Sequence, residues 1–207
     1  MFISFEGLDG SGKTTQIEQL VRGLESEGRT VLRVREPGGT PLSEHVRTLL
    51  LDPDADVSPL AELLLFSAAR AQLVERVIRP ALARGEVIVS DRFYDSTTAY
   101  QGGGRALASL DWLRAFHGTV TGGLAPDVTF LLRMAPDAAA ERRYGRESDR
   151  MEGAGLAFFR RVAEAYDAVA VAEPERFVVL DAALPRDSIA RRVAEVVRAR
   201  MGAGNPH

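Results

Sequence analysis

The octapeptide Gly7-Leu8-Asp9-Gly10-Ser11-Gly12-Lys13-Thr14 matches G-x-x-x-x-G-K-[ST], with the apolar run Phe2 to Phe5 before it and a helical pattern after it. Such a loop works only where a strand delivers it and a helix leaves it, because its backbone N–H groups and the helix amino terminus must converge on one anion. A chain that opens this way is committed to a strand, a phosphate loop and a helix, and so to an α/β architecture. Glycines permit the backbone to turn its N–H groups inward. Among the 26 Lys and Arg residues only position 13 is Lys, and every other cation is Arg. A planar guanidinium fork cannot do the work of a compact ammonium on a flexible stem. The retained lysine suits a reach to the β- and γ-phosphates of a nucleoside triphosphate, with the Thr14 hydroxyl holding Mg²⁺. Gly7, Leu8, Asp9, Gly10, Ser11, Gly12, Lys13, Thr14 and Thr15 are therefore the candidate ATP-binding residues.

The rest of the chain extends that opening. Strands are predicted at about residues 2 to 6, 30 to 35, 86 to 90, 127 to 132 and 176 to 181, alternating with helical patterns. Such alternation implies a largely parallel five-stranded sheet flanked by helices. Ile17, Leu20, Val21 and Leu24 pattern the first helix from Thr15 to Gly28. Ser58 and Pro59 read as the cap and first residue of a long apolar helix carrying Leu60, Leu63, Leu64 and Leu73, which Pro80 should kink or restart. Later helices are patterned by Phe158, Phe159, Val162, Tyr166 and Val169, then by Ile189, Val193, Val196 and Val197. No repeat or long linker breaks the 207 residues, so one domain is expected.

Composition excludes several functions. A net charge of -3 argues against a protein held to nucleic acid by general basicity. Zero Cys and three scattered His leave no disulfide framework and no zinc ligand set. The amino terminus lacks a secretory pattern and no apolar run reaches membrane-spanning length, so a cytoplasmic protein acting on small molecules is expected.

The run Val87-Ile88-Val89-Ser90-Asp91 reads as a buried strand ending in a carboxylate. Apolar strands ending in Asp are common, but beside a phosphate loop Asp91 becomes a candidate magnesium ligand. Arg92 follows directly and is a candidate bidentate clamp on a phosphate.

Taken together, six segments resemble the thymidylate kinase family in its bacterial form: Phe5 to Thr15, Arg35-Glu36-Pro37-Gly38-Gly39-Thr40, Leu65 to Arg70, Asp91-Arg92-Phe93, Ser96 to Gly102, and Asp149-Arg150-Met151-Glu152. The resemblance spans nearly the whole chain. It implies a P-loop kinase fold, phosphorylation of dTMP to dTDP with ATP and Mg²⁺, and a homodimer. In the family the aromatic of the Leu-Phe-x-x-Ala-Arg segment stacks on thymine while its arginine bonds the base edge, which would be Phe66 and Arg70. These two are four apart and so share one helix face, a spacing also compatible with a pair of core residues. The resemblance further implies that Ser96, Thr97, Tyr100 and Gln101 line the nucleoside pocket, with the Tyr100 ring near the sugar C2′. It implies that Arg35 and Pro37 border the acceptor, with a candidate cis peptide at Pro37, and that Asp9 touches the sugar 3′-hydroxyl. Phe93 departs from the Tyr or His commoner there.

Arg142, Arg143, Arg146 and Arg150 lie in a polar stretch that reads as a basic lid over about residues 142 to 152, or else as a solvated charged face. Gly10 stands where one subgroup of the family carries an arginine in its phosphate loop, so this chain is similar to the subgroup that draws that charge from the lid. Lys13, Arg92, Arg146 and Arg150 are accordingly the candidate catalytic residues. A different small-acceptor kinase, and from another class a regulatory nucleotide switch or motor ATPase, remain as alternatives, although no Asn-Lys-x-Asp guanine signature is present.

Overall fold

A computed structural model describes residues 1–143 and 155–203. Five strands form one parallel sheet in the order β2-β3-β1-β4-β5: β1 (Phe2–Glu6), β2 (Val31–Arg35), β3 (Val87–Asp91), β4 (Val128–Arg133) and β5 (Phe177–Asp181). Each lies within one residue of its expected position. Strands covered on both faces read as near-continuous apolar runs. The central β1 is buried at every residue and β4 at all but its last. Phe2, Ile88 and Val34 pack with Leu73, Val74, Ile78 and Phe93 on one face, while Ile3, Phe5, Val89 and Phe130 join Ile17, Leu20, Val162 and Val193 on the other.

Strand order decides where a site can form. The chain leaves β1 for β2, returns to β3 beside β1, and then passes to β4 on the other side. Ligands of open α/β sheets bind beyond the carboxyl ends of strands at such a reversal. In register, Phe5 of β1 lies opposite Asp91 of β3, so the phosphate loop and the Asp91-Arg92 pair leave the sheet side by side.

Helix α1 (Lys13–Ser26) starts two residues before the expected Thr15, because Gly12 serves as its cap in the left-handed conformation at φ 95°. Gly7, at φ 131°, has no room for a side chain: a Cβ there would lie 2.5 Å from the Leu132 carbonyl oxygen. Helix α2 (Pro41–Leu51), which the periodicity did not single out, is capped by Thr40, whose hydroxyl accepts from the Ser43 N–H at 3.1 Å. Helix α3 (Pro59–Leu73) begins as expected at Ser58 and Pro59. A π-helical turn, Val74–Ile78, then leads into the short α4 (Arg79–Ala83), where Pro80 occupies a first-turn position. The turn answers the expected disruption: proline cannot donate to the preceding carbonyls, and the wider spacing accommodates its ring.

Helix α5 (Tyr94–Thr97) continues into a second π-helical stretch, Thr98–Gly104, that packs against α6 (Leu110–Thr121) and α8 (Leu156–Ala172). Close approach explains the triplet Gly102-Gly103-Gly104. A Cβ at Gly102 would overlap the Leu113 side chain, at Gly103 the Ala165 methyl, and at Gly104 the Phe158 ring. Helix α7 (Pro136–Arg143) ends at the described boundary, and α9 (Arg186–Ala203) packs on α1. No described helix is long and apolar enough to cross a membrane.

Candidate active site

Two cavities open at the carboxyl ends of β1 and β3. The larger, about 800 Å³, is walled by Asp9 to Gln16 of the phosphate loop and α1, by Asp91 and Arg92, and by Ala182, Leu184, Pro185, Arg186 and Ile189 from the β5–α9 junction. The smaller, about 160 Å³, is walled by Pro37, Phe66, Arg70, Phe93, Ser96, Thr97, Tyr100 and Gln101. Asp9, Glu36, Arg47 and Arg92 line both.

Lys13 is buried, and its ammonium donates to the Gly7 carbonyl at 2.9 Å and the Leu8 carbonyl at 3.0 Å, with Asp9 at 3.8 Å. An ammonium has three N–H donors, so two hold the loop and the third remains for a ligand. Burial lowers the Lys13 pKa, and the Arg92 charge lowers it further, opposed by Asp9, Asp91 and Glu6. The buried Ser11 hydroxyl, within the same loop, has no partner among the described residues. Together these form a polar hollow at a helix amino terminus, suited to a polyphosphate.

Thr14 and Asp91 both line the larger cavity. Among the described residues no three His, Asp or Glu side chains converge as a closed metal cage. A hydroxyl and a carboxylate on one wall are an oxygen-only pair, which suits Mg²⁺ because that ion keeps waters and takes its other ligands from phosphate oxygens.

Arg92 is the junction of the two cavities. Its φ is 71°, a left-handed conformation that costs an arginine roughly 1–2 kcal/mol. Three bonds fix it there: its N–H donates to the Phe5 carbonyl at 3.0 Å, Ser90 Oγ donates to its carbonyl at 2.6 Å, and the next N–H, of Phe93, donates to Glu6 Oε1 at 2.7 Å. So held, its guanidinium donates to Asp9 Oδ1 at 2.7 Å and Ser96 Oγ at 2.9 Å, with the Tyr166 hydroxyl at 3.2 Å and the Tyr100 hydroxyl at 3.3 Å. Burial opposes the charge, but Asp9 and its other neighbours outweigh it and raise the Arg92 pKa.

Glu6 lies directly beneath. It is fully buried, and its carboxylate accepts from Phe93 N–H, from Ser96 Oγ and from the Tyr166 hydroxyl at 2.9 Å. Burial, reinforced by the charge of Asp95, pushes its pKa up to about 7, against the pull of Arg92 and of the Ser96 and Phe93 bonds.

In the smaller cavity Phe66 and Arg70 of α3 share a face, as their spacing predicted. Arg70 is almost wholly buried, yet its partner is internal: Nε and Nη2 both reach Glu36 Oε2 at 2.7 Å, and Nη2 also donates to Thr97 Oγ1 at 3.0 Å. Arg70 Nη1 and Glu36 Oε1 are left without partners among the described residues. A buried donor and a buried acceptor on residues that line one cavity suit a polar ligand edge, since leaving both unmet costs about 1–3 kcal/mol each. Gln101 donates from its amide to Glu62 Oε1 at 2.8 Å. The Glu36–Pro37 peptide is cis, as the resemblance implied.

Arg35 lines the larger cavity, not the smaller, and its guanidinium is paired with Glu44 Oε2 at 2.8 Å. Arg142 also lines the larger cavity and donates to the Ala182 carbonyl at 3.3 Å. Arg143 of the expected lid ends α7, and residues 144–154, which include Arg146 and Arg150, lie outside the described residues. Sequence reasoning missed Glu6, Arg47, Tyr166 and the 182–189 wall. Glu6 carried one readable signal, an acidic residue within a strand otherwise apolar enough to be buried. The Glu36–Arg70 pair joins residues 34 positions apart, and no local pattern announces it.

Comparison with known proteins agrees with this geometry. A family profile described as Thymidylate kinase matches residues 5–193. The chain is 47% identical to the thymidylate kinase of Chlorobium chlorochromatii (strain CaD3), covering 97% of this chain and 96% of that one. It is 48% identical to the thymidylate kinase of Deinococcus radiodurans, with 97% of each covered, and 51% identical to that of Bifidobacterium longum, with 88% and 89% covered. Members of this family are phosphotransferases that draw on ATP, and the chain belongs to the thymidylate kinase family.

Proposed function

We propose that the protein transfers the γ-phosphoryl group of ATP to dTMP, giving dTDP for dTTP synthesis. The observation that carries this reading is the pair of cavities meeting at Asp9, Glu36, Arg47 and Arg92. A donor bound in the larger and a monophosphate in the smaller would bring their phosphates together at these residues, and alignment alone can supply much of the rate. The acceptor oxygen is ionised at neutral pH, so no general base is needed. Lys13 holds donor phosphate charge, and Arg92 holds the acceptor phosphate in line with it. Thr14 and Asp91 would hold Mg²⁺, which neutralises charge on the transferring group. In the smaller pocket Phe66 stacks on thymine, the free Nη1 of Arg70 donates to the base edge, and Tyr100 blocks a ribose 2′-hydroxyl. Ser96, Thr97, Gln101 and Pro37 complete the walls, Asp9 meets the sugar 3′-hydroxyl, and Arg35 borders the mouth. Arg146 and Arg150, in a lid over about residues 142 to 152 of a single domain, close on the triphosphate and exclude water.

The protein acts as a cytoplasmic homodimer in this reading. Support comes from Leu49 of α2, Leu60 and Leu64 of α3 and Trp112 of α6, large apolar side chains each about half exposed on helices that pack in series, α2 on α3 and α3 on α6. Sedimentation at micromolar concentration should give twice the chain mass. The function is tested by ADP release against a panel of nucleosides and nucleoside monophosphates. Stimulation by dTMP and not by thymidine is expected. A deoxynucleoside preference would favour a different kinase, and turnover without any acceptor would favour a nucleotide switch.

A further inference from the structure

Glu62 of α3 is wholly buried, in a first turn otherwise made of Pro59, Leu60, Ala61 and Leu63. A carboxylate is stable in such a place only with donors to meet it. Two arrive from the second π-helical stretch and its end. The Gln101 amide nitrogen donates to Glu62 Oε1 at 2.8 Å, and the Arg105 guanidinium reaches Oε1 with Nε at 3.4 Å and Oε2 with Nη2 at 3.3 Å. Arg105 is held in turn by the Phe158 ring of α8, whose centroid lies 5.0 Å from its guanidinium carbon. Gln101 lines the acceptor cavity and Glu62 does not, so the carboxylate stands one residue behind the wall.

This pairing decides which way the Gln101 amide faces. A carboxylate beside a guanidinium only accepts, so the amide branch that meets it is the nitrogen, and Oε1 is the branch turned away. The backbone leaves no slack, because the Gln101 carbonyl accepts from the Leu107 N–H at 3.1 Å. Gln101 Oε1 has no bond to a described residue, and it is not sealed either. The buried polar atoms that lack both a partner and accessible surface belong to Ser11, Gln16, Gln19, Glu36, Arg70 and His117. Gln101 is 1% exposed and lines the acceptor cavity, so this oxygen is what it shows there.

An amide locked in this way offers an acceptor, and the base edge that meets it must donate. Thymine carries an N–H at N3, whereas cytosine carries a lone pair, which would face Oε1 with no proton between them. A site built to bond a donor rejects an analogue that lacks it. Turning the amide over to suit cytosine would set Oε1 against the Glu62 carboxylate and forfeit a bond to a charged group.

We propose that Glu62 is a positioning residue that determines base specificity: braced by Arg105, it holds the Gln101 amide with its oxygen toward the acceptor, so that only a base with an N–H at that edge is bound. The inference rests on the reading of dTMP as the acceptor and deepens it. Glu62 touches no substrate and acts only through Gln101.

Glu62→Gln removes the lock and keeps the shape. A neutral amide at position 62 can accept from Gln101 or donate to it, so both orientations of Gln101 become available. The probes are dTMP and 5-methyl-dCMP, which differ only in the groups at C4 and N3. Calorimetry should show Glu62→Gln binding 5-methyl-dCMP at least about tenfold more tightly than wild type does, since the flip no longer forfeits a charge-assisted bond. The variant should bind dTMP about twofold more weakly, because its amide divides between two orientations. Arg70 is the same in both proteins, so its preference at C4 cancels. Affinity gained for the wrong base is a result that a purely packing role would not give. Unchanged or weaker binding of 5-methyl-dCMP by the variant would overturn the proposal, whereas a wild type that bound no dTMP would overturn the proposed reaction with it.

The wild type alone supplies a second measurement, which stands even where the variant fails to fold. The fluorine of 5-fluoro-dUMP makes its N3–H ionise at milder pH than that of dTMP. Above that ionisation its affinity relative to dTMP should fall about tenfold per pH unit, as loss of the donor requires. A ratio that stays constant with pH would mean that the pocket accepts a base without the N–H, which would also overturn the proposal.

Discussion

Replacing Glu6 by glutamine tests the electrostatics under the site. The amide keeps the shape and the oxygen that accepts from Phe93 N–H, but it cannot ionise. In the folded protein the Glu6 pKa is pushed up to about 7, whereas the unperturbed side chain titrates at 4.5. The folded state thus holds this proton more tightly than the unfolded chain does. Stability supplied by that proton is fully present below pH 4.5, falls as pH rises, and is gone once pH passes the folded value near 7. At 1.36 kcal/mol per unit, the interval corresponds to about 3 kcal/mol. Denaturant unfolding of both proteins from pH 4.5 to 8 should therefore show the wild-type advantage over Glu6→Gln shrinking by about 3 kcal/mol toward the alkaline end. Ionisations common to the two proteins cancel in the difference. A difference that stays flat, or grows with pH, would mean that Arg92 and the three hydrogen bonds outweigh burial and that the carboxylate is held ionised, refuting the reasoning.

Further outcomes follow from the same geometry. Lys13→Ala removes the donor that spans the loop carbonyls and the donor phosphates, and should lower kcat about a thousandfold or more, roughly 4 kcal/mol, in a steady-state ADP-release assay. Phe66→Ala should raise the KM for dTMP at least tenfold with the KM for ATP unchanged; unaltered selectivity among pyrimidine monophosphates would count against stacking. Gly103→Ala sets two effects against each other, since alanine favours a helix by about 1 kcal/mol whereas overpacking costs about 1–3 kcal/mol. Because the new methyl would overlap the Ala165 methyl and lie 3.0 Å from the Arg161 carbonyl, strain should win. The variant should then melt lower and bind dTMP less well, and a higher melting temperature would show that α8 yields freely.

The three inner strands were legible because burial on both sheet faces writes itself as continuous Val, Ile, Leu and Phe, which a reader can bound to within a residue. Helices were less so. The cap of α2 depends on Thr40 and Ser43, small polar residues that serve equally in turns, and its apolar face is shared with α3 across a gap in sequence. The π-helical stretches could not be read from a 3.6-residue period, and the glycine triplet that permits the second one has its cause in α6 and α8, far along the chain. Within the site, Phe66 and Arg70 were placed on one face by spacing, but the partner of Arg70 was not. A guanidinium amid apolar residues demands a counter-charge without saying where it lies, and the fold supplies Glu36. The Ala182, Leu184, Pro185, Arg186 and Ile189 wall is mostly apolar and belongs to no motif, and only the sheet order brings it to the phosphate loop.

Arg92 shows why these two kinds of legibility differ. As a sequence feature it is one residue past a strand. In the fold it is a non-glycine residue at φ 71°, a conformation that glycine would adopt at no cost. Strain of this size persists only where the surroundings over-determine it. Here the Phe5 carbonyl, Ser90 Oγ and Glu6 Oε1 grip the backbone from both sides, so the left-handed turn follows from the β1–β3 register that sets Phe5 opposite Asp91. The turn directs Asp91 into the donor cavity and the Arg92 guanidinium to the boundary of both cavities. An unstrained strand end would alternate the two side chains to opposite faces of the sheet and separate them. The local cost is thus the physical reason that a carboxylate and a guanidinium adjacent in sequence can serve adjacent phosphates.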